Sequence, residues 1–422
     1  MSGALAGIRV IEFGRFIAAP YCCQMLADAG ADVIKVEPLI GDDARRNGEK
    51  YSESEGQQFL NKNRNKRSIA CDLSDKTVVS ALMQLIMKSD VMVANFRPGQ
   101  AEKLGFDYDS LKAGNPRLIY AENTGFGPEG PLAATAGMDM ALQGYSGLAP
   151  LTAAGPIPLM DPVIDYSAAM LMAWGISTAL FHRERNGSGQ KLDVSLLQAS
   201  LVLQNNHINA VAAHDEKRQA FVQYLKDSFS NGATWEEVLA KQSETNALGA
   251  TGAYYGFFRT SDQVICLGAG GSVVQKRLLQ VLNLTDPLVE QDHYLPGDIR
   301  HHVLNQRALV ENKLAEHPLD YWMPLLAEAN VPASRVNLKP QLLEDQQVLA
   351  NAYVTEFSHP TVGDVTVVSP PVNFSETRLE VRQPSPLLGQ HSTEILIEAG
   401  LSGDLIEKLI SSGKIVSSVD QN

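Results

Sequence analysis

Two aspartates, Asp161 and Asp165, stand at the entrance of the weakly polar segment MDPVIDYSAAMLMAWGISTALF, residues 160–181. A carboxylate at such a point has two uses. It can cap the helix, accepting bonds from backbone N–H groups two or three residues on, worth ~1 kcal/mol. A helix N-terminus also keeps a carboxylate ionised and oriented, and an ionised carboxylate is a competent nucleophile toward an activated acyl group. Spacing alone leaves both readings of Asp165 open, and the two are compatible.

A second chemical cluster is NKNRNKRS, 61–68, with Lys62, Arg64, Lys66 and Arg67 inside six residues. Arg and Lys supply charge-assisted donors, so this run reads either as a clamp for phosphates or as a solvated loop. NFRPG, 95–99, reads as a turn made by Pro98 and Gly99, with Asn95 and Phe96 able to hold a base or an acyl thioester. GAGG, 268–271, lacks a nucleotide-loop frame and reads as a turn. No HExxH or GxSxG occurs, which removes the zinc-protease motif and the serine-hydrolase elbow. The nine histidines show no ligand spacing, and the four cysteines no CxxC, so no metal site is expected.

These residues need a scaffold, and the first 125 residues supply one. Strand signals at 8–13, 32–37, 90–95 and 117–122 alternate with helical patterns at 18–30 and about 74–88. Such alternation predicts an α/β fold, with a parallel sheet covered on both faces. Ligands then bind beyond the carboxyl ends of the strands, at GRFIAAP, PLIGDDARR, NFRPG and NTGFGPEG. A further strand and helix follow in KLDVSLLQASLVLQ. From about 212 to 252 the chain is polar and poorly patterned and reads as a linker or mobile excursion. A hairpin-like pair and a helix restart at 254–284, in a smaller domain over about 225–325. The tail returns to strand-like 365–374 and an amphipathic helix at 393–401.

The 422 residues are 44% hydrophobic and 20% charged, ordinary values for a globular protein. A formal charge of −13 argues against a nucleic-acid partner, yet local basic clusters can still take an anion. The run at 166–181 falls below the roughly 20 apolar residues that cross a bilayer. No signal peptide is read at the start, and few cysteines suit a reducing compartment. A cytoplasmic protein without a membrane partner is expected.

In order and spacing, several longer segments resemble the class III CoA-transferases, a group that includes formyl-CoA transferase, carnitine CoA-transferases and the α-methylacyl-CoA racemases. The resemblance begins in LAGIRVIEFGRFIAAPYCCQMLADAGADVIKVE. It runs through NRNKRSIACDL, DVMVANFRPGQAEKLGFDYDSLKAGNPRLIYAENTGFG and RNGSGQKLDVSLLQASL. It closes with SPPVNFSET and SPLLGQHSTEIL. It implies an interlocked homodimer of ring-like subunits. Each would have a Rossmann-like large domain built from both chain ends (1–210 and 331–422, the latter including a return linker) and a linker with a smaller α+β domain at 211–330. It implies no tightly bound cofactor, with coenzyme A and acyl-CoA as substrates beside a carboxylic acid.

The family's nucleophilic aspartate matches Asp165. The implied chemistry is a mixed anhydride followed by an aspartyl-CoA thioester. Positions that match CoA contacts are Arg15, Ile17 and Ala18; Asn63, Arg64 and Lys66; Asn95, Phe96 and Arg97; Lys103; and Met138. Three departures stand out. The first loop carries Arg15 and Ile17 where the family often has histidine or glutamine. Pro38 replaces an arginine of formyl-CoA transferase, leaving Arg45 or Arg46 to supply the cation. The shielding glycine loop has only a weak counterpart, with Gly249 and Gly252. These changes disfavour formyl-CoA and oxalate as the pair. The racemase alternative needs a histidine in a GHD motif, where this chain has Gly137-Met138-Asp139, and methionine cannot exchange a proton. Asp139 reads more simply as a helix or turn cap. A CoA-binding homologue with an idle Asp165 is the non-enzymatic alternative.

Overall fold

The computed structural model describes residues 3–52, 55–152, 155–245, 250–290 and 299–417. The chain divides into two units. One gathers Met1–Thr152, Pro156–Asp215 and Leu349–Asn422; the other gathers Ala153–Gly155 and Glu216–Val348.

The first unit is built on a seven-stranded sheet. Its strands are β1 (Arg9–Phe13), β2 (Asp32–Glu37), β3 (Lys66–Cys71), β4 (Val91–Ala94), β5 (Ile119–Thr124), β6 (Lys191–Ser195) and β7 (Ile415–Val416), in the order β7-β3-β2-β1-β4-β5-β6. All neighbours pair in parallel except β7, which runs antiparallel to β3. Five helices recur below: α1 (Ala18–Asp28), α2 (Lys76–Met87), α3 (Asp139–Tyr145), α4 (Val163–Asn186) and α5 (Leu196–Leu203).

Side chains alternate across a strand, and both faces of this sheet are apolar. Ile11, Ile34, Ile69, Met92 and Tyr120 meet α2 residues Val78, Leu82 and Leu85, together with Ile395 and Leu409 from the C-terminal helices. Val10, Val33, Val93, Ile119 and Ala121 meet Cys22, Cys23 and Leu26 of α1 and Ala169, Met172 and Ile176 of α4. Pro20 falls in the first turn of α1, where a missing N–H costs nothing.

By length and composition, α4 is long and apolar enough to cross a membrane. It extends at both ends beyond the stretch 166–181 that fell short of this, because polar breaks such as Ser177 are tolerated within a helix. Here it lies along α1 on the sheet.

The second unit holds an antiparallel trio: Tyr255–Arg259, Val264–Gly268 and Ala333–Arg335. Helices pack on it through Leu278, Leu282, Val310, Leu314 and Trp322. The polar region expected as a linker forms two helices, Glu216–Ser230 and Trp235–Thr245. The first buries no residue. A helix without an apolar stripe carries no periodic signal, which is why the sequence did not announce it.

Candidate active site

From adjacent β1 and β4 the sheet grows in opposite directions, to β2 and β3 on one side and to β5 and β6 on the other. The connections after the two strands therefore diverge and leave a crevice at their carboxyl ends. Asn95 holds that crevice in shape. Its Oδ1 accepts from Arg15 N at 3.0 Å, and its Nδ2 donates to Arg15 O at 3.0 Å. Phe16 adopts φ 64°, a left-handed backbone uncommon for a bulky residue, and its N–H donates to Asp42 Oδ1.

Two hollows meet here. One, of 690 Å³, is lined by Ile17, Ala18, Asn123, Gly125, Met138 and Asp165, among others. The second, of 420 Å³, takes in Pro38, Leu39 and Leu73. Arg15, Asn95, Phe96 and Arg97 line both. A third hollow, of 380 Å³, shares Leu73 with the second and holds Ser74, Lys76 and Lys103. Of the residues expected at a CoA site, Arg15, Ile17, Ala18, Asn95, Phe96, Arg97, Met138 and Asp165 thus share one cavity, and Lys103 lies two hollows along.

Asn63, Arg64 and Lys66 line none of these hollows. Arg64 forms a bidentate pair with Asp28 and donates to Val368 O. Lys66 Nζ lies 2.8 Å from Glu12 and donates to Pro20 O and Asn63 Oδ1. Asn63 also donates to Phe59 O. Arg67 pairs with Asp32 and Glu398. The sequence left a phosphate clamp and a solvated loop both open here. Part of the run is strand β3, and these cations are engaged by Glu12 of β1, Asp32 of β2, Asp28 of α1 and Glu398 of a C-terminal helix. Arg45 is likewise buried, held between Glu37 and Glu55 over the Phe59 ring. Arg46 pairs with Asp43. Gly252 belongs to the second unit, where its carbonyl accepts from Arg307; Gly249 lies outside the described residues.

Asp165 is the third residue of α4, and the N-cap position, Pro162, makes no side-chain cap bond. Asp139 caps α4 instead. Its Oδ2 accepts from Ile164 N at 2.8 Å and from Asp165 N at 3.1 Å. Its Oδ1 accepts from Gln143 Nε2 at 2.6 Å. Gln143, one turn along α3, also binds both backbone groups of Leu159. The reading of Asp165 as the cap of its own helix is therefore corrected: the cap comes from another helix. Asp139 as a cap was legible. Its client was not, because the two residues are 26 apart in sequence.

A close backbone approach brings α3 to this point. A Cβ on Gly137 would lie 2.3 Å from the Gly125 Cα, and one on Gly125 2.5 Å from the Gly137 Cα. Only glycine at both positions lets the segment after β5 touch the lead into α3.

Burial, reinforced by the Asp139 charge, pushes the Asp165 carboxyl up to about 7, against the pull of Lys62. Lys62 is 1% exposed and donates to Gln58 Oε1 at 2.6 Å. Burial lowers its ammonium to about 8, while Asp165 holds it up. Lys62 thus belongs to the electrostatics of the site, although it was singled out only as one cation of the basic run. Lys76, Asn123 and the Gly125–Gly137 contact were also missed. The post-strand segment NTGFGPEG holds Asn123 and Gly125 and was the signal for those two; it carried none for Lys76. The arrangement presents a carboxylate relieved of capping, ionisable near neutrality, in a largely apolar cavity that adjoins a second hollow, which in turn shares Leu73 with a basic one.

The family model described as CoA-transferase family III matches residues 5–392. The chain is 31% identical over 419 residues to the succinyl-CoA:glutarate CoA-transferase of Mus musculus, covering 97% of this chain and 90% of that one. It is 29% identical over 423 residues to the formyl-CoA:oxalate CoA-transferase of Rhodopseudomonas palustris (strain BisA53), covering 98% of each. A solved CAIB/BAIF family protein from Brucella suis superposes with a TM-score of 0.72 at 28% identity, covering 94% of this chain and 100% of that one. The chain belongs to CoA-transferase family III and is an enzyme that moves CoA between an acyl-CoA and a carboxylate.

Proposed function

We propose that CoA passes from an acyl-CoA donor to a carboxylic-acid acceptor through covalent intermediates on Asp165. The observation that carries this reading is the Asp165 carboxylate itself. It lines the large cavity, and Asp139 relieves it of capping.

An Asp165 oxygen attacks the thioester carbonyl, the C–S bond breaks, and CoA leaves as thiolate. The thiolate attacks the Asp165 carbonyl of the resulting anhydride, expelling the donor acid as carboxylate and leaving an aspartyl-CoA thioester. The acceptor carboxylate attacks that thioester, frees the thiolate again, and forms a second anhydride. Thiolate attack on the acceptor's carbonyl releases the new acyl-CoA and restores Asp165. Each step exchanges activated acyl groups of similar energy, which is the benefit of covalent catalysis. Arg15 and Asn95–Arg97 would hold the nucleotide arm, Ile17, Ala18 and Met138 the pantetheine arm, and Lys76 and Lys103 the phosphates. No tightly bound cofactor takes part in these steps.

The subunits are proposed to interlock as a homodimer. Supporting this, α4 exposes Met170, Trp174 and Phe181, and α5 exposes Val202 and Leu203, an apolar surface of the kind that marks an interface. A cytoplasmic setting fits four cysteines without a disulfide. Mass measurement in solution tests the dimer; a monomer would contradict it.

Asp165→Ala is expected to abolish CoA exchange between acids with the fold intact, and retained turnover would eliminate the nucleophile. A 2-methylacyl-CoA incubated in deuterated water should gain no deuterium at the α-carbon. Rapid wash-in would favour racemase-type proton transfer instead.

A further inference from the structure

We infer that the side-chain amide of Asn123 reads a hydroxyl on the acyl group held at Asp165, so that hydroxy monocarboxylic acids and their CoA thioesters are the preferred substrates. This rests on the transferase reading above and adds a substrate class to it.

Strand alternation supplies the position. Ile119 and Ala121 of β5 face the layer of α1 and α4. Asn123 is the next side chain on that face, paired with Val194 of β6. On α4, Asp165 precedes Ala168 and Ala169 by one turn, and those alanines are buried. Both Asn123 and Asp165 line the 690 Å³ cavity.

Chemistry supplies the role. Asn123 is 6% exposed, and its Oδ1 is buried with no hydrogen-bond partner among the described residues. Buried amides are normally paired, because an unpaired one is destabilising. Its neighbour Thr124 is committed, accepting from Gly127 N at 3.1 Å. A valine would suit this strand position at no such cost, as Val194 does beside it. An amide kept there is explained by a ligand group that completes its bonding.

A hydroxyl is the best match. Rotation of the amide about its last bond exchanges donor and acceptor, and a hydroxyl is both. A second carboxylate on the acyl group is a poor match. Asp165 and Asp139 set two carboxylates at this end against the single buried Lys62, and the lining cations, Arg15 and Arg97, stand where the cavity adjoins the second hollow. The one carboxylate that reacts is consumed in the covalent step; a second would persist beside those charges.

The test compares kcat/KM for 2-hydroxybutyryl-CoA, 3-hydroxybutyryl-CoA, butyryl-CoA and succinyl-CoA with a common acceptor. It uses the wild type, Asn123→Val and Asn123→Thr. The wild type should favour at least one hydroxyacyl donor over butyryl-CoA and succinyl-CoA by about 10- to 100-fold. Asn123→Val should bring the hydroxyacyl-to-butyryl ratio close to one, and Asn123→Thr should restore part of it. A wild-type ratio near one, a preference for succinyl-CoA, or a ratio unmoved by Asn123→Val overturns the assignment. Equal losses on hydroxyacyl and butyryl donors would give the amide to the pantetheine arm and overturn it too. If Asn123→Val does not fold, the wild-type ratio and Asn123→Thr decide. Absence of exchange with every donor would overturn the underlying transferase reading, a result distinct from exchange without selectivity.

Discussion

Asp139 caps the helix on which Asp165 stands: one carboxylate oxygen of Asp139 takes the backbone N–H groups of both Ile164 and Asp165. The relationship joins two functions. It removes from Asp165 the structural duty its sequence position suggests, and it sets a second negative charge near the carboxylate proposed to react. Asp139 acts through Asp165 and is therefore a positioning residue.

Substitution separates those two functions. Asp139→Asn keeps an acceptor for the cap and removes the charge, so the Asp165 pKa should fall and the acid limb of kcat/KM should move to lower pH. Asp139→Ala loses the cap as well. It should lower stability by about 1 kcal/mol and reduce kcat, as measured by chemical denaturation and steady-state kinetics.

The pH dependence has a defined sign. Folding raises Asp165 to about 7 by burial and by Asp139, and the proposed nucleophile must be ionised. Activity should therefore rise with pH through about 7. Lys62→Met removes the opposing positive charge, so the rise should shift to higher pH. For stability, the folded state holds this proton more tightly than the unfolded state does, between the usual carboxylate pKa and about 7. Stability from this group falls as pH rises through that window. Asp165→Asn should therefore be more heat-stable than the wild type at pH 8, with the difference vanishing near pH 4.

The basic end should behave as an anion subsite. Lys76 and Lys103 share a hollow that adjoins the second cavity through Leu73. Lys76→Ala and Lys103→Ala should each raise KM for acyl-CoA about 3- to 10-fold with little change in kcat. Added salt should shrink the difference.

The scaffold was largely legible because β1, β2 and β4 are short apolar runs separated by helical periods. Asp165 was legible through its helix entrance and the family resemblance. What stayed hidden depends on long-range contacts. Lys66 and Arg64 read as free cations until β1 and α1 bring Glu12 and Asp28 to them. Asp139 reads as a local cap until the Gly125–Gly137 contact carries α3 to the start of α4. Asn123 reads as one more polar residue at a strand end until the strand's alternation turns it into the cavity.

Covalent trapping at Asp165 tests the central claim most directly. Enzyme incubated with an acyl-CoA and then treated with hydroxylamine or borohydride should, by peptide mass spectrometry, carry the hydroxamate or alcohol on Asp165 and no equivalent mark without the thioester. An unmarked Asp165 in enzyme that continues to exchange CoA under the same conditions would contradict the account.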